Sequence, residues 1–120
     1  MRKRELGDYI QDILEAMAEV EEFTAGMRFE DFRQDRKSVN AVVRSLEIIG
    51  EASKKLPKKL REKHPEIPWK RMTGMRDKLI HEYFGVDLDM VWEVVRREIP
   101  PLRTLMQKVL SDIEGEQISL

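Results

Sequence analysis

Apolar residues return at three- and four-residue steps along most of the chain, and this period divides it into helices. Leu6, Ile10, Ile13, Met17, Val20, Phe23 and Met27 form the first stripe, which predicts one long amphipathic helix with an acidic outer face. Residues 28–34 (RFEDFRQ) leave room for a turn or a single helical coil. Val39, Val42, Leu46, Ile49, Ser53 and Leu56 then repeat the spacing, and Val43, Ile48 and Ala52 widen its apolar surface. A second helix held between neighbours, or at a subunit contact, is expected. Pro57, Pro65 and Pro68 interrupt the next, basic segment, since each lacks an amide donor and restricts the residue before it; a short helix and a loop are predicted.

Trp69, Met72, Met75 and Leu79 restore helical spacing, with Thr73 or Gly74 placed to start a third helix, which carries residues 76–83, and Gly85 to stop it. Asp87 is a suitable cap for a last helix carrying Leu88, Val91, Val95, Ile99, Leu102, Met106, Val109 and Ile113. Pro100 and Pro101 should kink or split it. No alternating apolar run bounded by hairpin turns and no internal repeat is visible. The fold predicted is therefore all-α, a four- to five-helix up-and-down bundle.

Composition sets further bounds. The 120 residues, 41% of them apolar, suit one compact domain spanning 1–120. The absence of cysteine excludes disulfides, thiolate metal sites and cysteine nucleophiles, and fits a reducing compartment. The basic N-terminus runs into Glu5, Asp8 and Asp12 without an apolar core, and no later stretch approaches a spanning length. A cytoplasmic protein with no membrane partner is expected.

The formal charge of -1 conceals an asymmetry. Residues 8–35 hold nine acidic and two basic side chains, whereas residues 54–78 hold ten basic and three acidic ones. The basic stretch can attract a polyanion such as RNA, or it can be a solvated face on Lys54, Lys55, Lys58, Lys59, Arg61 and Lys63.

That stretch ends on Arg76-Asp77-Lys78-Leu79-Ile80-His81-Glu82-Tyr83, which carries the strongest candidate chemistry. Arginine grips phosphate through a planar fork, histidine moves protons near neutral pH, and tyrosine offers a modifiable hydroxyl. On a helix turning 100° per residue, Arg76 and His81 point roughly 140° apart. One subunit cannot then aim both at one phosphate, so a composite site across a two-fold homodimer is expected. Asp77, one helical turn before His81, can accept a hydrogen bond from the imidazole and hold its orientation. The residues also admit a plainer reading, with His81 on a charged surface, Arg76 in an ordinary ion pair and Tyr83 packing its ring.

Other constellations fail. His64 and His81 are the only histidines, too few for a histidine-based metal site, and the six glycines are too scattered to cradle a phosphate. No serine stands in a nucleophile elbow. Neither a metal nor another cofactor is expected.

The segment IPWKRMTGMRDKLIHEYFGVDLDMVWEVV (67–95) closely resembles the HepT-like toxins of the HEPN superfamily, whose signature is R-x4-H-x-Y; RSLEIIGEASKKLP (44–57) resembles the matching upstream helix. The resemblance implies a HEPN-like helical homodimer that cuts RNA without metal. Arg76 would hold the scissile phosphate and His81 would take the 2'-hydroxyl proton or protonate the leaving oxygen, giving a 2',3'-cyclic phosphate. It also implies a cognate minimal nucleotidyltransferase antitoxin that adds AMP units to Tyr83, blocking the groove and neutralising the phosphate grip. Asp77 and Glu82 depart from the family pattern and place two carboxylates where they oppose phosphate. A second reading, from another functional class, is a catalytically silent helical dimer acting as a nucleotidyltransferase partner or nucleotide-binding module. A third is a plain interaction bundle in which the motif is accidental.

Overall fold

The computed structural model describes residues 5–75, 77, 80–81 and 85–118. Helix α1 spans Leu6–Phe23, α2 Phe29–Gln34, α3 Arg36–Lys54, α4 Lys58–Lys63 and α5 Trp69–Thr73. After the motif region come α6 (Leu88–Glu93), a π-helical turn (Val94–Glu98) and α7 (Ile99–Ile118). The fold is all-helical, as expected. The only extended pairing among the described residues joins β1 (Ile80–His81) to β2 (Gly85–Val86) as a two-residue antiparallel ladder.

The framework is three long helices. Ser45 reaches Glu19 on α1, and a groove between α1 and α3 carries Tyr9 and Asp12 at one end with Ala52 and Lys55. Such pairing, in which one number rises as the other falls, is that of antiparallel helices. Arg103 bonds Glu21 at 3.1 Å and Arg96 bonds the Thr24 carbonyl at 2.9 Å, so the chain from the π-helical turn into α7 also runs antiparallel to α1. The apolar stripes meet in one cluster: Ile10, Ile13, Met17 and Val20 of α1, Val42, Leu46 and Ile49 of α3, and Ile99, Met106 and Val109 of α7. All ten are essentially inaccessible to solvent, which places the main hydrophobic stabilisation here.

Helix ends follow local chemistry. The Asp35 carboxylate accepts the Ser38 amide and hydroxyl at 3.2 and 2.8 Å, capping α3. Those bonds, the hydroxyl's first, hold the Asp35 carboxyl below its ordinary pKa. Asp87 accepts the Met90 amide at 3.1 Å, the cap expected for the last helix. The first helix stops at Phe23 rather than continuing to Met27. The Thr24 hydroxyl turns back to the Val20 carbonyl at 2.9 Å, and Gly26 takes a left-handed φ of 75° that other side chains rarely adopt. Leu6, at the other end of the stripe, is exposed.

Pro100 and Pro101 perturb the last helix as expected, in a specific form. Neither ring nitrogen can donate to the preceding turn, and the Ile99 amide bonds the Val94 carbonyl five residues back, one residue further than in an α-helix. The prolines lie in the first turn of α7, just beyond this wider turn. The turn also carries Arg96, whose guanidinium lies 4.3 Å over the Trp92 ring and donates to the carbonyls of Thr24 and Met27 at 2.9 and 2.6 Å. Trp92 in turn packs on the fully buried Phe32, with ring centroids 5.2 Å apart. One cation thus fastens the α1–α2 turn to the last helical stretch. Arg96→Ala should lower unfolding stability by about 1–2 kcal/mol in urea titration, the upper value for charged hydrogen bonds being reduced by solvent exposure; Arg96→Lys, which keeps the charge and loses the fork, should recover only part of it.

Candidate functional site

The chain approaches the motif through a sequence of short, locked turns. Pro57 starts α4, and the Arg61 Nε donates to the Leu56 carbonyl at 3.1 Å, so this member of the basic run is structural. His64 is buried, its Nδ1 lying 3.4 Å from Glu66. The Trp69 indole Nε1 donates to the carbonyls of Arg61 and His64 at 3.1 and 2.9 Å, closing the loop between α4 and α5. Gly74 ends α5, and a side chain added there would come within 3.3 Å of the Lys70 carbonyl. Met75 is buried, and Met75 and Asp77 are again helical.

Of the predicted site residues, Asp77 is placed on the surface. Arg76 and Tyr83 lie outside the described residues, as does Glu82. His81 is not on the third helix: its backbone pairs with Gly85, and Ile80 pairs with Val86. Ile80 and Val86 are register partners and both β-branched, a residue type that favours extended backbone, and the four-residue apolar spacing of this segment conceals that preference. The helical angle of roughly 140° between Arg76 and His81 therefore does not describe this motif, nor does the one-turn relation of Asp77 to His81.

Asp77 does line a cavity of about 730 Å³ with Lys54 from the end of α3 and Trp69, Lys70, Arg71 and Thr73 from α5. Arg71 is committed: its guanidinium makes a two-pronged contact with the Glu98 carboxylate of the π-helical turn. Those hydrogen bonds first, and the carboxylate's charge second, raise the Arg71 pKa above its ordinary value. A second cavity, of about 410 Å³ between α1 and α3, has the opposite polarity, lined by Asp12, Glu15, Glu19 and Glu51 with Lys55. Adjacent Lys54 and Lys55 thus serve different grooves. The charge run on 54–63 pointed to a cationic surface, but only the folded α4–α5 turn brings Lys54 beside Lys70.

Among the described residues, no three of His, Cys, Asp and Glu converge to hold a metal ion, and no helix is long and apolar enough to cross a membrane.

The profile of the family described as Ribonuclease HepT-like matches residues 13–109, which contain the whole motif. The chain belongs to the HepT-like ribonuclease family. A candidate RNase of Methanocaldococcus jannaschii is 50% identical over 97% of this chain and 96% of its own. The "Probable ribonuclease HepT" of Thermococcus cleftensis is 52% identical over 89% of this chain and 97% of its own, and another candidate RNase of Methanocaldococcus jannaschii is 47% identical over 95% and 98%. No solved structure matches the chain.

Because α5 leads directly into the HepT-like motif, the Arg71–Glu98 contact positions the site's approach. A double-mutant cycle of Arg71→Met and Glu98→Gln should give a coupling of about 0.5–1 kcal/mol, the value for a well-formed surface pair. Each single variant should speed amide exchange at Met72 and Gly74.

Proposed function

We propose that this HepT-like protein is a metal-independent endoribonuclease and the toxin of a two-component system. Family membership across the motif carries the reading, supported by close relatives named as ribonucleases. In this mechanism Arg76 binds the scissile phosphate and offsets the charge that develops on its oxygens. The 2'-hydroxyl loses its proton to His81 as O2' bonds phosphorus, and the bond from phosphorus to O5' breaks. O5' takes up a proton from the protonated imidazole, leaving a 2',3'-cyclic phosphate and a 5'-hydroxyl. The protons and charges balance without a metal ion.

Asp77, next to Arg76 in the sequence, is a supporting residue whose carboxylate moderates phosphate approach. The active species is a two-fold homodimer in the cytoplasm. Its partner is a minimal nucleotidyltransferase antitoxin that attaches AMP units to Tyr83; the added phosphates would compete with RNA for Arg76 and fill the cleft.

His81→Ala and Arg76→Ala should each lower cleavage of cellular RNA by at least about a hundredfold in EDTA, the range for removing a proton-transfer or charge-stabilising group. Cleavage equal in wild type and His81→Ala contradicts the reading and favours the silent-dimer alternative. Mass spectrometry after coexpression with the neighbouring nucleotidyltransferase should find AMP increments on Tyr83 that Tyr83→Phe abolishes.

A further inference from the structure

We propose that the groove between the end of α3 and α5 binds a single-stranded RNA segment flanking the cleaved bond, with Lys54 and Lys70 on phosphates and Trp69 beneath a base. This deepens the ribonuclease reading and rests on it. The cavity, about 730 Å³, is in the size range of sites that enclose a small ligand, yet it opens to solvent as a polymer requires. Both lysines are exposed, and among the described residues neither has a carboxylate partner, whereas Arg71 on the same wall is held by Glu98. Two cations are therefore available for phosphate, and a third is not.

Trp69 supplies the other element of single-strand recognition. It lines the groove while partly buried against the core, and its two hydrogen bonds to the Arg61 and His64 carbonyls fix its orientation. A base can stack on such a ring with little loss of side-chain freedom. In an A-form duplex the base faces are stacked on one another and unavailable to it, so the arrangement favours a single strand. Asp77 also lines the groove and is joined to Arg76 by a single peptide unit, so a strand lying over Lys54 and Lys70 passes beside the motif.

The test uses the full-length His81→Ala protein, in which RNA binds without turnover, and an unstructured labelled oligoribonucleotide followed by anisotropy across a salt series. Adding Lys54→Ala and Lys70→Ala should weaken binding and reduce the slope of log affinity against log salt by about 1.4, two phosphate contacts at roughly 0.7 each. Lys54→Arg with Lys70→Arg should retain the slope. In a Trp92→Phe background, RNA should quench the remaining Trp69 emission. An unchanged slope, no quenching, or equal competition by a duplex of the same length overturns the groove assignment. Failure of the underlying reading is distinguishable: a lost slope with cleavage indifferent to His81 keeps the groove and removes the nuclease, and an unchanged slope with His81-dependent cleavage does the reverse.

Discussion

The antiparallel seam between α1 and α3 is the constraint on which the rest of the structure depends. Ile10, Ile13, Met17 and Val20 bury against Val42, Leu46 and Ile49, and α7 lays Met106 and Val109 over the same core. The seam fixes where α3 ends, and its last residue carries Lys54 to the α5 side while Lys55, as the capping residue, serves the acidic groove. An apolar register determined near the N-terminus thus sets the position of a cation beside the motif. Buried Ser53 fits this seam without an unsatisfied hydroxyl, because its Oγ donates to the Ile49 carbonyl at 2.7 Å.

Cations from and near the π-helical turn connect the framework to the site. Arg96 reaches back to the α1–α2 turn, and Arg71 reaches from α5 to Glu98. Pro100 and Pro101 are the sequence cause of the turn, since a regular helix would need two amides that they lack. The irregular turn is consequently a junction between the core and the segment that leads to the motif.

The main helices were legible because burial imposes a period, and Ile10 through Val20 and Val39 through Ile49 follow it closely. The Asp87 cap and the proline disturbance were legible because each has a local cause. Three features were not. Arg96 bonds residues about seventy positions away, which no local pattern records. The juxtaposition of Lys54, Trp69 and Lys70 depends on how α4 folds back. Ile80 and His81 belong to a segment whose apolar spacing suits a helix while its β-branched and aromatic composition suits a strand, and spacing alone does not decide between them. The R-x4-H-x-Y motif was legible as a spacing of residue types, but the helix expected to carry it was not correct at His81.

Attack by the substrate's own 2'-hydroxyl is the central proposal, and it rests on the roles proposed for Arg76 as phosphate grip and His81 as proton carrier. The chemical identity of the cut RNA ends tests it most directly. After digestion in EDTA by the purified protein, the upstream fragments should end in 2',3'-cyclic phosphate and the downstream fragments should begin with a 5'-hydroxyl. Fragments ending in 3'-hydroxyl and beginning with 5'-phosphate would contradict it, because those ends require water or another external nucleophile.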